Sequence, residues 1–385
     1  MIRLQEAAAL KERCVVGLMT GTSMDGLDIA VCSIRPGDDL GIDLLAFETA
    51  AMPEDLRKAM EPERLSSPAA IAHLHQDLGT YFADAVERVM LPLGREPHLI
   101  GSHGQTVFHD HGRTTLQLGD PGPLAARFGC PVIYDFRMND IAVGGTGAPL
   151  VPYVDQRLLS DRGQALLAIN IGGIANVTAL PAEIVGKASV LGMDCGPGNM
   201  LMDGLARRWS KGEAQADIDG VLASGGRIDP LLLARLKSHP YFTSSPPRST
   251  GREQFGDHFL SEILAGIDLH GDNGQTVRDL MATFAALTVW GIVDTYERFI
   301  APSIEVTAVI VSGGGSRNPV VMAGLAEGFA PRLVQASDAM GLPVDAKEAI
   351  AFAVLASDRL DGRPTNLPSV TGAHRRVLLG RIAEC

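Results

Sequence analysis

The sequence predicts an α/β protein of two domains that share one design. The order strand, strand, strand, helix, strand, helix, strand occurs twice along the 385 residues. Each copy begins with an apolar stretch that passes through a glycine-rich turn straight into a second apolar stretch, at residues 15–31 and 166–178. A chain of this length also exceeds what one hydrophobic core usually supports. We therefore expect a duplicated fold, with domains at 1–164 and 165–385 and a ligand crevice between them.

The first half is predicted to open with three strands and a long helix. The strands lie at residues 15–19, 27–34 and 43–50. Ser67 is a suitable N-cap and Pro68 a suitable first residue for the helix, whose apolar residues then recur at helical spacing as far as Val89. Further elements are predicted in the order strand 98–102, helix 123–128 and strand 131–136.

The second half repeats this order. Strands are predicted at 165–171, 174–180, 190–194, 307–311 and 332–335, and helices at 276–299, 319–329 and 345–360. In the first of these helices, Gly291 would let a neighbouring element pack closely, at some cost in helix propensity. The stretch 243–250, which is rich in proline and serine, is typical of a surface loop or flap.

Composition excludes several classes of protein. The chain is 46% hydrophobic and 20% charged, as globular proteins are. Its net charge of −12 argues against nucleic-acid and anionic-membrane partners. The cysteines form no C-x-x-C pair and the N-terminus resembles no signal peptide, so we expect a reducing cytoplasm. Four histidines, His98, His103, His109 and His111, fit no zinc spacing, and no metal ligands are assigned.

The two glycine turns are candidates for holding a phosphate chain. Neither opens a helix, so neither is a P-loop or a dinucleotide-binding turn. Glycine lets backbone N–H groups approach a phosphate closely. A plain hairpin is the alternative for either turn alone, but the pair together favours a nucleotide. The residues assigned to nucleotide binding are Gly21, Thr22, Ser23, Met24, Asp25, Gly26 and Asp28 in the first turn and Gly172 and Gly173 in the second.

Asp194 ends an apolar run, and a carboxylate at a strand end is well placed as a general base. The alternative is that it caps the helix that Asn199 begins, whose N-terminus would favour anions. Glu348 lies in the first turn of the last predicted helix, where an acid that only complements the helix dipole is also common.

Arg137 follows a strand, and its guanidinium could grip a sugar carboxylate in a fork. An Arg137–Asp140 ion pair is the equally weighted alternative. His103, Gln105 and Thr106 lie at another strand end, where they could line a sugar pocket. Gly147 belongs to a run of small residues that would allow close approach to a sugar, unless the run is a mobile surface loop.

Seven motifs resemble, in order, those of the anhydro-N-acetylmuramic acid kinase family. They lie at residues 21–28, 102–106, 135–137, 144–150, 194–199, 312–318 and 341–349. The resemblance implies duplicated actin-like ATPase (ribonuclease H-like) domains with an inter-domain cleft, and ATP and Mg²⁺ as cofactors. It also implies an enzyme that opens 1,6-anhydro-N-acetylmuramic acid with water and phosphorylates its O6, giving N-acetylmuramic acid 6-phosphate in cell-wall recycling.

The resemblance also implies roles for single residues. Asp194 falls at the catalytic aspartate and Glu348 at a residue that reaches the sugar and helps to position the water. The adenosine-binding turn corresponds to Gly313, Gly314, Gly315 and Asn318, and Asn199 is placed with the sugar-binding residues. The family usually reads Asp-Thr-Gly-Pro-Gly-Asn where this chain has Cys195, which removes a hydroxyl beside the base.

Two other functions remain open at this point. One is an ordinary sugar or carboxylate kinase, in which Asp194 would deprotonate a hydroxyl. The other is an ATP-driven switch without catalysis, for which no peptide-binding or polymerising segment is visible. A homodimer is left open.

Overall fold

The computed structural model describes residues 2–21, 26–61, 63–160, 163–182, 189–246, 248–272 and 274–384. The chain forms two compact units. The first unit contains residues 1–158 and 346–385, and the second contains residues 159–345. The sequence predicted one division at 164/165, whereas in the structure the final segment returns to the first unit.

Strands and helices follow the order that the sequence predicted, with several additions. The strands are β1 (Arg13–Thr20), β2 (Gly26–Arg35), β3 (Gly41–Ala51), β4 (Leu99–Ser102), β5 (Gln105–Asp110), β6 (Thr114–Leu118), β7 (Val132–Tyr134), β8 (Leu166–Ile171), β9 (Ile174–Leu180), β10 (Leu191–Pro197), β11 (Ala308–Ser312), β12 (Leu333–Ala336) and β13 (Arg381–Ala383). The helices are α1 (Leu4–Ala9), α2 (Glu54–Ala59), α3 (Pro68–Met90), α4 (Gly122–Phe128), α5 (Met138–Ile141), α6 (Val151–Leu159), α7 (Met200–Trp209), α8 (Val221–Ser224), α9 (Pro230–Lys237), α10 (Arg252–Phe255), α11 (Asp257–Leu264), α12 (Gln275–Thr295), α13 (Pro319–Gly328), α14 (Lys347–Leu360) and α15 (Pro368–Thr371).

The first unit is built on a sheet with the strand order β13-β7-β4-β1-β2-β3. Strands β1, β2 and β3 form an antiparallel meander, and β4 and β7 add to it in parallel. Side chains alternate across β1, so that Val16 packs in a cluster with α3 while Val15 packs in another with α14. Burial on both faces explains why β1 is a nearly continuous apolar run.

Helix α14 approaches this sheet very closely. A Cβ at Gly17 would lie 1.9 Å from the carbonyl oxygen of Ala349, and one at Gly101 would lie 2.3 Å from that of Phe352. Neither glycine has a positive φ, so both are needed for space. Glycines on two neighbouring strands therefore leave the space in which the helix that carries Glu348 packs against the sheet.

The second unit repeats the topology of the first. Its sheet has the order β10-β9-β8-β11-β12, with β8, β9 and β10 antiparallel and β11 and β12 parallel to β8. The sequence prediction of a duplicated α/β fold is confirmed. Helix α12, with the π-helical turn Tyr296–Ile300 that continues it, is long and apolar enough to cross a membrane. Most of it is nevertheless packed in the core of this unit.

Two local predictions are confirmed by contacts. The Ser67 side chain accepts a hydrogen bond from the Ala70 N–H, which makes Ser67 the N-cap of α3. A Cβ at Gly291 of α12 would lie 2.9 Å from the carbonyl oxygen of Cys195, so this glycine does allow a strand to approach.

Candidate active site

Asp194 lies on β10, the edge strand of the second sheet, where the ladder with β9 is interrupted by a bulge between Asp194 and Gly196. Its carboxylate Oδ2 accepts a hydrogen bond of 2.9 Å from the Thr250 N–H. Burial raises the pKa of the Asp194 carboxyl to about 7, against the opposing effects of that hydrogen bond and of the Arg248 charge. A carboxyl with this pKa is near the optimum for a general base at neutral pH.

Three glycine turns of the second unit meet beside α7. The Gly198 N–H donates to the Gly173 carbonyl at 2.9 Å, and the Asn199 N–H donates to the Gly172 carbonyl at 2.8 Å. A Cβ at Gly315 would lie 3.0 Å from Asn199 Oδ1, because the turn after β11 reaches the same place. The turns at 172–173 and 313–315, predicted separately from the sequence, are thus brought together.

Asn318 and Asn199, two residues predicted to bind ligand, form hydrogen bonds within the protein in this region. Asn318 Oδ1 accepts from the N–H groups of Val320 and Val321, which makes Asn318 the N-cap of α13. Asn199 Nδ2 lies 3.5 Å from the carbonyl oxygen of Ile171. Asn199, predicted among sugar-binding residues, therefore lies beside the turns predicted to bind nucleotide.

The first glycine turn, at residues 21–28, is described only at its ends. Thr22, Ser23, Met24 and Asp25 lie outside the described residues. Gly21 follows β1, and its carbonyl oxygen lies 3.4 Å from Gln105 Nε2. Gly26 begins β2, and Asp28 Oδ1 on the same strand accepts from Thr49 Oγ1 at 2.6 Å.

Arg137 and His103 form one polar group in the first unit. Arg137 Nε and Nη2 donate to His103 Nε2 at 3.1 and 2.9 Å, and Nη1 donates to the Gly147 carbonyl at 2.8 Å. Burial and the Arg137 charge hold the pKa of His103 well below its usual range, so its imidazole is neutral and can accept these bonds. Burial also lowers the pKa of Arg137 to about 10, while the negative charge of Glu348 raises it.

The alternative ion pair between Arg137 and Asp140 is not what the structure shows. Asp140 instead accepts hydrogen bonds from the Gly147 N–H, from Asn366 Nδ2 and from Thr371 Oγ1. These contacts fasten the 144–148 segment to the body of the unit, so it is not a free surface loop. Gly147 itself has a φ of +75°, a conformation that favours glycine.

One predicted sugar residue, His103, lines a cavity of about 100 Å³ in the first unit. Gly104 lines it as well, together with Gln117 of β6 and Tyr134 of β7. Thr106 Oγ1 accepts from Gln117 Nε2 at 3.2 Å, which places Thr106 next to this wall. Gln105 is fully buried and its Oε1 has no hydrogen-bond partner among the described residues.

Glu348 lies in the first turn of α14, as the sequence predicted, and its side chain is half-buried. Its neighbour Lys347 is almost fully buried and forms an ion pair of 2.7 Å with Asp155 on α6. This pair fixes the start of α14, and with it the backbone from which the Glu348 side chain extends.

Sequence reasoning missed Tyr241, Arg248 and Thr250, all of which contact Asp194. The only signal, which covered Arg248 and Thr250 but not Tyr241, was the polar, proline-containing stretch 243–250, which predicted a surface loop or flap. Within the described ranges, no group of three or more His, Cys, Asp or Glu side chains is placed to hold a metal ion.

The repeated sheet order and the glycine turns at the strand ends define the class of protein. A three-strand meander followed by two parallel strands, present twice, is the fold of the actin-like ATPases and of the sugar kinases related to them. The anhydro-N-acetylmuramic acid kinase family model matches residues 13–384, and the chain belongs to this family.

Its relatives support this assignment over the full length. An anhydro-N-acetylmuramic acid kinase from Caldanaerobacter subterraneus subsp. tengcongensis is 38% identical over 401 residues and covers 100% of both chains. One from Salinibacter ruber is 40% identical over 387 residues, covering 96% of each chain.

Solved structures resemble this chain more distantly. The activator of 2-hydroxyisocaproyl-CoA dehydratase from Clostridium difficile is 12% identical with a TM-score of 0.41, over 90% of this chain and 95% of that one. A ROK family glucokinase from Streptomyces griseus is 15% identical with a TM-score of 0.39, and the match covers 89% of this chain and 99% of that one.

Proposed function

We propose that this protein uses ATP to convert 1,6-anhydro-N-acetylmuramic acid into N-acetylmuramic acid 6-phosphate, and that it serves peptidoglycan recycling in the cytoplasm. The observation that carries the proposed mechanism is the Asp194 carboxyl. It lies within the edge strand β10 (Leu191–Pro197), beside the bulge, and not at the strand end that the sequence predicted; burial raises its pKa to about 7. At neutral pH a substantial fraction of it is ionised and can accept a proton.

The proposed reaction couples hydrolysis to phosphoryl transfer. Asp194 accepts a proton from a water molecule whose oxygen forms a bond to the anomeric carbon C1 of the sugar. The C1–O6 bond breaks, and O6 forms a bond to the γ-phosphorus as the bond to the leaving ADP breaks. The base acts on water because O6 of the anhydro sugar carries no proton.

The sugar is assigned to residues of the first unit. Arg137 uses three of its five N–H groups on His103 and Gly147, which leaves two for the lactyl carboxylate of the muramic sugar. A neutral His103 holds the guanidinium plane in a fixed orientation. Glu348 lies close enough to Arg137 to affect its pKa, and we assign it to positioning the sugar or the attacking water.

ATP is assigned to the glycine turns. Backbone N–H groups at Gly172 and Gly173 suit phosphate oxygens, and the turn at Gly313–Gly315 leaves room for adenosine. Since no group of three or more His, Cys, Asp or Glu side chains in the described residues is placed to hold a metal ion, Mg²⁺ would be held by phosphate oxygens and water, as this ion often is. When bound, it would neutralise charge that develops on the transferred phosphoryl group.

Product mass tests the proposal against an ordinary kinase. The wild-type protein is incubated with ATP, Mg²⁺ and 1,6-anhydro-N-acetylmuramic acid in ¹⁸O-labelled water. The proposed reaction adds one phosphoryl group and one labelled oxygen to the sugar. A product that carries phosphate without added water would show an ordinary kinase, and no product from this sugar would refute the proposal.

A further inference from the structure

Residues 248–250 cover the free edge of strand β10. This strand ends the sheet, so its outer N–H and C=O groups lack a strand partner. The Asp194 N–H instead donates to the Arg248 carbonyl at 3.4 Å, and the Thr250 N–H donates to Asp194 Oδ2 at 2.9 Å. The segment thus pairs with both the backbone and the carboxylate of Asp194.

The Arg248 side chain fastens this segment to three places. Its Nε donates to the Asp194 carbonyl at 3.2 Å, its Nη1 to the Ser244 carbonyl at 3.3 Å, and its Nη2 to Thr295 Oγ1 of α12 at 2.7 Å. The guanidinium carbon lies 5.0 Å from the centre of the Tyr241 ring and 4.9 Å from that of Phe299. Only 9% of the residue is exposed.

All of these hydrogen bonds end on neutral oxygens. Among the described residues Arg248 has no ion-pair partner, which is unusual for a buried charge. The Arg248 charge therefore acts on the Asp194 carboxyl without an ion-pair partner of its own among the described residues, and it lowers the pKa of that carboxyl.

We propose that Arg248 is a positioning residue for the reaction. It holds residues 248–250 against β10 so that the Thr250 N–H and the guanidinium keep the Asp194 carboxylate in place and ready to accept a proton. This inference rests on the proposed function, because it takes Asp194 as the base.

The charged and titratable groups around Asp194 have opposing effects. Arg248 and the Thr250 N–H lower the pKa of Asp194, whereas burial and Glu253 of α10 raise it. Tyr241 donates its hydroxyl to the Asp194 carbonyl at 2.7 Å and stays neutral.

On α12, Asp294 is paired with Arg298, and Thr295 contributes only a hydroxyl. The neighbouring Cys195 thiol has a pKa raised to about 12 and is also neutral. Arg248 is therefore the one cation among these groups that acts directly on Asp194.

A merely structural Arg248 would affect stability but not the ionisation of Asp194. The test therefore compares the pH dependence of kcat/KM for the sugar in the wild type, in Arg248→Met and in Arg248→Lys. Methionine removes both the charge and the hydrogen bonds, whereas lysine keeps the charge. Arg227→Met, at an exposed residue of the same unit, is the matched control. Circular dichroism and nucleotide titration confirm folding of each variant.

The wild type is expected to gain activity as pH rises through about 7, where Asp194 ionises. In Arg248→Met this midpoint should move up by about one pH unit, because an opposite charge near the carboxylate has been removed. kcat should fall on the order of 10²-fold from misplacement, while nucleotide affinity stays within about twofold. Arg248→Lys should keep a midpoint near that of the wild type, and Arg227→Met should match the wild type throughout.

A second pair of variants decides the question if Arg248→Met does not fold. Thr250→Pro removes the N–H donor to Asp194, whereas Thr250→Ala keeps it. The midpoint should rise in the proline variant and stay in place in the alanine variant, whatever their rates. Folded Arg248→Met or Thr250→Pro protein with a wild-type midpoint would overturn the inference. Failure of the wild type to form the product would instead refute the proposed function.

Discussion

At the scale of single residues, the chemistry of Asp194 depends on its surroundings more than on its position in the chain. An aspartate side chain in water would be fully ionised at neutral pH and a weak base. Here burial raises its pKa, and one N–H and one nearby guanidinium limit that rise. The balance leaves a carboxyl that titrates where the enzyme is expected to work.

Replacing Asp194 by asparagine keeps the shape of the side chain and removes its basicity. We expect turnover to fall on the order of 10²–10⁴-fold, the range for loss of a general base, with nucleotide binding retained. Steady-state rates and nucleotide titration measure the two effects. Asp39→Asn, at an exposed aspartate, is the control. Turnover close to that of the wild type in Asp194→Asn would exclude this residue as the base.

The same substitution should change stability in a pH-dependent way. The folded-state pKa of about 7 lies above that of an unfolded aspartyl, about 3.9. The native state therefore binds more protons, and its stability falls as pH rises from about 4 to about 7. Asparagine has no such dependence, so Asp194→Asn should gain stability relative to the wild type across this window. Urea unfolding of both proteins at pH 5 and pH 8 measures the difference, and an equal difference at both values would contradict the prediction.

Arg137 offers a separate test on the sugar side. Lysine cannot reproduce its bonds to both His103 and Gly147, nor a planar contact with a carboxylate. Arg137→Lys should weaken binding of 1,6-anhydro-N-acetylmuramic acid, with unchanged nucleotide affinity. The comparison sugar is 1,6-anhydro-N-acetylglucosamine, which lacks the lactyl group. Titration of both sugars should show the larger loss for the muramic sugar, whereas equal losses would make Arg137 an organiser of the site only.

At the scale of elements, the close packing of α14 against β1 determines where the Glu348 side chain lies. Gly17→Ala would place a methyl group 1.9 Å from the Ala349 carbonyl, so the helix must move. We expect a loss of about 1–3 kcal/mol in the free energy of unfolding, the range for overpacked cores, and a lower kcat because Glu348 moves with the helix.

Urea unfolding and steady-state rates measure these two effects of Gly17→Ala. Glu48→Ala, at an exposed residue of β3 in the same sheet, should change neither. A Gly17→Ala protein as stable and as active as the wild type would show that α14 tolerates a displaced position.

The sequence predicted most strands and helices because their periodicity is local. The strand predicted at 27–34 is β2 (Gly26–Arg35), and the helix predicted at 319–329 is α13 (Pro319–Gly328). The hairpin of β5 and β6 was missed, since its strands mix polar and apolar residues without regular alternation. Helix α6 was missed as well, because it is short and follows a run of small residues.

The motifs also indicated many residues of the candidate site, but not the contacts that support them. The turns at Gly172 and Gly315 were each recognisable by their glycines, whereas their meeting at Asn199 depends on how β8 and β11 pair. The contacts of Arg248 with Asp194 join residues 54 positions apart. No local pattern distinguishes such an arginine from an exposed one in a surface loop.

At the scale of the whole molecule, the two units differ in how the chain builds them. The second unit is one continuous segment, and its hydrophobic cluster lies entirely between Leu167 and Phe329. The first unit needs residues 346–385 as well, because α14 supplies much of one of its two clusters. Arg13, which is 1% exposed, likewise depends on Ser357 and Asp361 for hydrogen bonds.

This difference predicts opposite behaviour of two fragments. The fragment 159–345 keeps every member of its cluster and should fold alone, with a cooperative thermal transition and dispersed amide resonances. The fragment 1–158 would expose the sheet face that α14 covers, and the buried Arg13 guanidinium would lose its acceptors on Ser357 and Asp361, a costly arrangement. It should be unfolded or aggregated, and adding a peptide of residues 346–385 should restore structure. A cooperative transition in fragment 1–158 alone would show that the first unit folds without α14. An unfolded fragment 159–345 would show that the hydrophobic cluster of the second unit needs the rest of the chain.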